Sequence, residues 1–376
     1  MALNIALVGL GFGGCFAEIY KEHTDVGMLG IFDTDKQLTE SFRKDLKTAR
    51  VYSSLDEILK DDSIDAVHLV TPIPLHAEQT IKVLESGKHC ACTVPMATSL
   101  DDIQRIFDAI KKSGKKYMMM ETTLYTYQFF YVQELIKSGQ LGRIQFLRGS
   151  HYQDMSDWPD YWMGLPPMHY ATHAIGPLVA LSGSRIKRVV CFGSGTMEPW
   201  LNKQYGNPFP FESALFEFES GLKAEATRSL FETAREYQEG MFVYGSKMCF
   251  EWGFADEDKP YVTRFLPPVK GERGLRTITE ITQMPNYHHL LPEPLQRFTV
   301  GDDYDPLNPQ DSLRKGAGGG HHGSHAHLVN EFVKSIVEDR QPAIDERISA
   351  NITAAGICAH TSAMQNGMSI EVPDFM

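Results

Sequence analysis

The sequence predicts an α/β protein in two parts: a parallel sheet flanked by helices, followed by a region built mainly from antiparallel strands. Three observations carry that prediction. Residues 5–14 form an apolar strand running straight into a glycine-rich turn, strands and helices then alternate as far as residue 121, and beyond it amphipathic strands separated by turn signals take over. A chain of 376 residues is long enough for two domains, and we place them at 1–122 and 123–376.

The first strand and turn read Ile5-Ala-Leu-Val-Gly-Leu-Gly-Phe-Gly-Gly14. Gly9, Gly11 and Gly14 have the G-x-G-x-x-G spacing of a dinucleotide-binding turn, with Phe12 and Gly13 completing it. In such a turn the first glycine permits the tight bend, the second the approach of a pyrophosphate, and the third close packing of the following helix on the sheet. Phe16 to Glu22 can start that helix, and the next apolar run, Gly27 to Phe32, ends at Asp33. A carboxylate there can accept both hydroxyls of an adenosine ribose. Thr34 and Asp35 follow it, with no cation to neutralise a 2′-phosphate, so the expected cofactor is NAD over NADP. The alternative is a purely structural turn.

Asp65 to Val70 is the next strand and ends in Thr71-Pro72. A helix from Leu75 to Ser86 stops at Gly87, Lys88 to Thr93 is a short strand ending near Pro95, and Ser99 with Asp102 marks a capped helix reaching Ser113. Lys116 to Glu121 closes the series. The second part opens with a helical stretch, Tyr127 to Ser138, then strands at 144–152 and 185–193 and hairpin turns at Ser220-Gly221 and Gly245-Ser246. Residues 168–181 and two C-terminal helices are candidates to cover one face of these strands. The other face is rich enough in aromatic and aliphatic residues to join a second copy, the alternative being a solvated face carrying isolated apolar residues.

Composition narrows the function classes. A net charge of -12, with no basic block, argues against a nucleic-acid partner, and no apolar run is long enough to span a membrane. The six cysteines, at 15, 90, 92, 191, 249 and 358, contain no C-x-x-C pair and suit a reducing compartment. Met1 leads directly into the first strand, which leaves no room for a signal peptide, so a cytoplasmic location is expected.

The glycine turn with Asp33, Thr71-Pro72 with His76, the block Gly87-Lys88-His89 leading to Thr93-Val94-Pro95-Met96-Ala97, and the region Met168 to Pro177 together resemble the glucose–fructose oxidoreductase/inositol dehydrogenase (Gfo/Idh/MocA) family. That resemblance spans nearly the whole chain. It implies a Rossmann domain followed by an α/β domain on an open, mostly antiparallel sheet, and nicotinamide-linked redox chemistry on sugars or cyclitols. It also suggests cofactor contacts from Thr71, Pro72, His76, Thr93 and Pro95. Two departures stand out. The family commonly carries Glu-Lys-Pro where this chain has Thr93, Val94 and Pro95, so the lysine is missing. It also commonly has an Asp four residues before a helical His, where this chain has His169 and His173. The string Tyr170-Ala-Thr-His173-Ala-Ile-Gly-Pro177 is similar to the NAD-dependent glycoside hydrolase branch, with its Tyr-x-x-His spacing.

Oxidising a secondary alcohol needs a base for the hydroxyl proton, and histidine is suited to that near neutrality. His173 is the favoured base. Its alternatives are a buried histidine satisfied by its neighbours or a metal ligand. On one helix His169 would share its face, and Tyr170 would orient substrate or be a half-buried aromatic. Gly149 to Asp154 ends a strand, where His151 and Tyr152 must point to opposite faces, so one of the two enters the site. His151 or Tyr152 and Asp154 are candidate hydroxyl contacts, His151, Tyr152 or His169 a candidate second base, and Trp158 and Trp162 candidate stacking surfaces for a sugar or loop anchors. The histidine-rich stretch 316–327 offers His322 and His325 as further sugar contacts. It has no recognised metal-binding spacing, and no metal is assigned.

Three functions follow. The first is an NAD-dependent oxidoreductase acting on a sugar or glycoside, giving a 3-keto product. The second is an NAD-dependent glycoside hydrolase using transient C3 oxidation, elimination, hydration and re-reduction. The third is an inactive cofactor-binding regulator.

Overall fold

The structure, a computed structural model, describes residues 2–46, 49–202, 204–253, 259–271, 273–299 and 320–375. In chain order the regular elements begin β1 (Leu3–Val8), α1 (Gly14–Glu22), β2 (Val26–Phe32), α2 (Lys36–Leu46), β3 (Arg50–Val51), α3 (Leu55–Lys60), β4 (Ala66–Leu69), α4 (His76–Glu85), β5 (His89–Cys92), α5 (Leu100–Ser113) and β6 (Tyr117–Met119). They continue with α6 (Tyr127–Lys137), β7 (Ile144–Tyr152), α7 (Thr172–Ser182), β8 (Ile186–Ser194), β9 (Phe211–Phe218), β10 (Lys223–Ser229), β11 (Gln238–Gly245), β12 (Met248–Trp252), β13 (Tyr261–Phe265) and β14 (Thr277–Ile281). The last are α8 (Glu293–Gln296), α9 (Gly320–Val337), α10 (Glu346–Met364) and β15 (Ile370–Glu371).

Contacts divide the chain into two compact units. The first comprises residues 1–127, 286–350 and 375–376, and the second 128–285 and 351–374. The contiguous division at residue 122 differs from this. Residues 286–350 return to the first unit because α9 packs on α1 and on the turn Thr122–Tyr125.

The first unit is built on six parallel strands in the order β3-β2-β1-β4-β5-β6, the order of a Rossmann sheet. Its central strands read as apolar runs because both faces are covered: Ile5 to Val8 and Ala66 to Leu69 are buried throughout. The expected helix signals operate. Ser99 Oγ accepts the Asp102 amide at the start of α5, and Gly87 and Gly114 take left-handed conformations just past α4 and α5. The short β3, α2 and α3 add elements that the sequence reading did not identify.

The second unit is a nine-stranded sheet ordered β14-β13-β12-β11-β7-β10-β9-β8-β15. Every neighbouring pair is antiparallel except β7 with β10, so the sheet is open and mostly antiparallel. Both expected hairpins form, β9–β10 and β11–β12. One face, carrying Leu147, Gly149 and His151, lies under α7. A Cβ on Gly149 would overlap the Ala174 carbonyl, so glycine sets how closely helix and sheet approach. Among the described residues no helix is long and apolar enough to cross a membrane.

Candidate functional site

In the first unit the glycine turn has the geometry of a phosphate cradle. Gly9 has φ +90°, and a Cβ there would overlap the Val70 carbonyl oxygen. Gly11 has nothing within 4 Å of where its Cβ would sit, which leaves its backbone open to a ligand. Gly14 lies against the Phe42 ring, so its missing side chain serves the contact of α1 with α2 and not the expected contact of helix with sheet. At the end of β2, Asp33 accepts hydrogen bonds from the Leu10 amide (2.6 Å, Oδ2) and the Asp35 amide (2.7 Å, Oδ1). Among the described residues no lysine or arginine pairs with it. These two bonds, with a longer one from the Thr34 hydroxyl to Oδ1 (3.4 Å), fix the carboxylate beside the turn and leave a lone-pair site open on Oδ2.

The neighbouring strand ends are tied together. Thr71 donates its hydroxyl hydrogen to Gln79, Pro72 precedes a short 3-10 turn, and the Thr93 amide donates to the Leu69 carbonyl. His76 is buried, with Nδ1 2.8 Å from the Pro95 carbonyl oxygen and Nε2 2.8 Å from that of Thr71. Both ring nitrogens therefore face acceptors, an arrangement that requires two N–H groups and hence the imidazolium. Burial opposes that charge, but the Cys92 sulfur and the two carbonyls outweigh it and lift the pKa to about 9.

Residues 320–327 of the histidine-rich stretch also belong to this unit, its residues 316–319 lying outside the described ones. Phe12, half exposed at the tip of the turn, meets His321, His325 and Phe16 edge-on. His325 is buried against Phe16, with Nε2 3.1 Å from His321 Nδ1, and loss of water holds its pKa well below the ordinary value. His322 pairs Nδ1 with the Tyr127 hydroxyl at 3.2 Å. His322 and His325, expected as sugar contacts, lie in the first unit beside Tyr127 and beside Phe12 and Phe16 respectively. The regular part of α9 begins near Ser324, after three left-handed residues (321–323), and Ser324 Oγ has no hydrogen-bond partner among the described residues.

The second unit gathers a different set. His173, in the first turn of α7, lies with its ring centre 4.9 Å from that of His151 and 5.6 Å from that of Tyr170. His151 also meets Tyr237 at 5.3 Å. Beneath them Arg228 is fully buried, its guanidinium 5.5 Å from the centre of the Tyr170 ring. It donates to the carbonyls of Tyr170, His151 and Ser229. Burial pushes the Arg228 pKa down to about 10, partly offset by Tyr170, Tyr237 and Glu239. Glu239, 1% exposed, accepts the Tyr237 hydroxyl hydrogen at 2.6 Å, and the same oxygen lies 3.9 Å from His173 Nδ1. Proton acceptors, a buried cation and a buried carboxylate thus share one face of the sheet. Such a set can remove a hydroxyl proton and stabilise the charge that results.

Other expected positions fall elsewhere. The 3-10 turn Pro167–Tyr170 is interrupted at Ala171 before α7 begins, so His169 and His173 do not share a helical face. His169 turns to His360 (ring centres 5.2 Å apart), which bonds Glu212 at 2.7 Å. Loss of water and the neighbouring His360 push the His169 pKa down to about 3. Tyr152 points to the opposite sheet face from His151, stacking on Phe211 and bonding Thr227 at 2.7 Å. It is separated from His173 by the sheet itself. Asp154 is exposed and accepts the Ser156 amide, which shapes its own loop. Trp162 is buried edge-on against Tyr170 (4.7 Å), while Trp158, half exposed, meets Trp162. Arg228, Tyr237 and Glu239 went unnoticed in the sequence reading. The available signal was a charged residue at an inward position of a strand, as in Ala224-x-Ala226-x-Arg228 and Glu239-x-Met241-x-Val243. Among the described residues no group of three or more His, Cys, Asp or Glu could hold a metal ion.

Comparison with known proteins adds to this geometry. Residues 3–121 match the oxidoreductase family of Gfo/Idh/MocA type, described as an NAD-binding Rossmann fold, and residues 129–251 match the Gfo/Idh/MocA C-terminal domain. Glycosyl hydrolase family 109 protein 1 of Phocaeicola vulgatus is 27% identical over 227 residues, covering 54% of this chain and 48% of that protein. A 1-carboxy-3-chloro-3,4-dihydroxycyclohexa-1,5-diene dehydrogenase of Comamonas testosteroni is 28% identical over 237 residues, 60% of this chain and 58% of that one. The chain spans about half the length of the glycosyl hydrolase relatives it matches. A levoglucosan dehydrogenase solved with NADH and levoglucosan shares the fold at TM-score 0.76, with 19% identity and full coverage of both chains (100% each).

Proposed function

The chain belongs to the Gfo/Idh/MocA oxidoreductase family, and from that premise we propose that it is an NAD-dependent oxidoreductase acting on a sugar or glycoside, oxidising C3 to a ketone. The observation that carries the reading is the set of buried His173 and His151 with half-buried Tyr170 and Tyr237 around buried Arg228 and Glu239. The first unit fits the dinucleotide: Gly11 leaves backbone open for a pyrophosphate, and Asp33 offers ribose hydroxyls an open site on Oδ2 and, in place of the long Thr34 bond, one on Oδ1. Thr34 and Asp35 beside it favour NAD over NADP. When bound, NAD supplies the hydride acceptor. His173 takes the hydroxyl proton of the reacting carbon, and Tyr170, held over Arg228, orients that hydroxyl. Trp158, exposed beside Trp162, offers a ring for the sugar face. Leu215 and Phe192, exposed on the sheet face away from α7, support a homodimer or homotetramer.

The Tyr-x-x-His string and the glycosyl hydrolase relatives favour a second reading, redox-neutral cleavage. A ketone at C3 acidifies the C2 proton, His151 removes it, the aglycone leaves, water adds across the double bond so formed, and return of the hydride to C3 restores the alcohol. One experiment separates the readings: mass spectrometry of a glycoside panel incubated with purified protein and NAD. Intact glycoside lighter by two hydrogen atoms supports net oxidation. Free sugar and aglycone without net NADH support cleavage, and no product of either kind overturns both.

A further inference from the structure

We infer that Glu239 is a positioning residue for His173, holding the Nδ1 edge of that ring so that Nε2 is the nitrogen that accepts the substrate proton. The inference rests on the reading of His173 as the base and names what orients it.

Glu239 and His151 are direct cross-strand partners in the β11–β7 pairing, so the Glu239 side chain rises from the same sheet face as His151, under α7. Its Oε1 is fixed by the Tyr237 hydroxyl at 2.6 Å and stands 3.9 Å from His173 Nδ1. That separation is longer than a hydrogen bond but well inside the range where a carboxylate stabilises an imidazolium. Its Oε2 has no hydrogen-bond partner among the described residues, although the residue is 1% exposed. A buried carboxylate oxygen without a donor is costly, and closing the gap to Nδ1–H on substrate binding would recover part of that cost. The other groups facing this pair are His151 from β7, Tyr170 from the 3-10 turn, Arg228 from β10 and Tyr237 just before β11. Arg228 directs its hydrogen bonds to carbonyl oxygens and to Gln153, which leaves the Glu239 carboxylate to act on the imidazole. The position four residues ahead of His173 holds His169, turned to His360.

The test is nitrogen NMR of histidine-labelled protein without substrate, with His173 assigned by its Asn variant. The native ring should carry its neutral-state proton on Nδ1. In Glu239→Gln its titration midpoint should fall to lower pH, because the stabilising negative charge is gone. Tyr237→Phe, which frees the carboxylate from its donor while keeping its charge, should weaken the Nδ1 preference and serves also if Glu239→Gln fails to fold. An unchanged tautomer and midpoint in whichever of these variants folds would overturn the inference. Its failure is distinct from failure of the functional reading: the NMR result needs no turnover, and a protein inert toward every glycoside could still show the coupled ring.

Discussion

Replacing Asp33 with alanine isolates the contribution of one carboxylate to cofactor choice. In the folded protein its oxygens accept the Leu10 and Asp35 amides at 2.6 and 2.7 Å, and Oδ1 also accepts the Thr34 hydroxyl at 3.4 Å, a long bond that one ribose hydroxyl can replace while the other takes the open site on Oδ2. Hydrogen bonds to a charged group contribute about 1.5–3 kcal/mol each, and water can replace part of that, so Asp33→Ala should weaken NAD binding by about 2–4 kcal/mol. That corresponds to a rise in Kd of about 30- to 1,000-fold. NADP behaves differently, because the native carboxylate repels its 2′-phosphate; loss of the charge offsets loss of the bonds, and the preference for NAD should collapse. Isothermal titration calorimetry with both cofactors reads the two changes separately. A urea titration of the same variant controls for the orphaned Leu10 and Asp35 amides. An unchanged Kd for NAD, or an equal loss for NAD and NADP in a folded variant, would refute the assignment.

Two further outcomes are expected. His173→Ala should lower turnover of an active glycoside by about 10²- to 10⁴-fold, the usual contribution of a positioned base, with calorimetric affinity for NAD unchanged; an unaltered rate would remove His173 from its role. His76 makes stability pH-dependent. Its folded pKa, about 9, lies above the ordinary histidine value, so its contribution is complete below about pH 6.5 and is lost as pH rises through about 9. Urea midpoints of native protein should therefore fall across that window, and His76→Gln should lack the fall; parallel curves would contradict the imidazolium.

Much of the first unit was legible because its signals are local. The bend at Gly9, the strand ending at Asp33, the cap at Ser99 and the stop at Gly87 each depend on a few adjacent residues and formed as expected, whereas Gly14 serves the contact of α1 with α2. The Gfo/Idh/MocA resemblance correctly implied the parallel sheet followed by an open, mostly antiparallel one. The candidate site was less legible because register decides it. Alternation along β7 required His151 and Tyr152 to part, but nothing local said which would face α7. His169 and His173 looked like one helical face until Ala171 broke the backbone between them. The acid beside His173 arrives from β11, which no spacing rule near the histidine could announce. His322 and His325 drew attention by their abundance, yet the turn around Phe12 and Tyr127 absorbs them.

The most direct test of the account is a single turnover with a glycoside carrying deuterium at C3, mixed with excess protein and NAD, quenched, and analysed by mass spectrometry of the nicotinamide. The account predicts reduced nicotinamide bearing that deuterium, lasting where the turnover ends in oxidation and transient, before the deuterium returns to C3, where it ends in cleavage. Turnover of the glycoside with the deuterium never leaving C3 and no reduced nicotinamide at any time would contradict it.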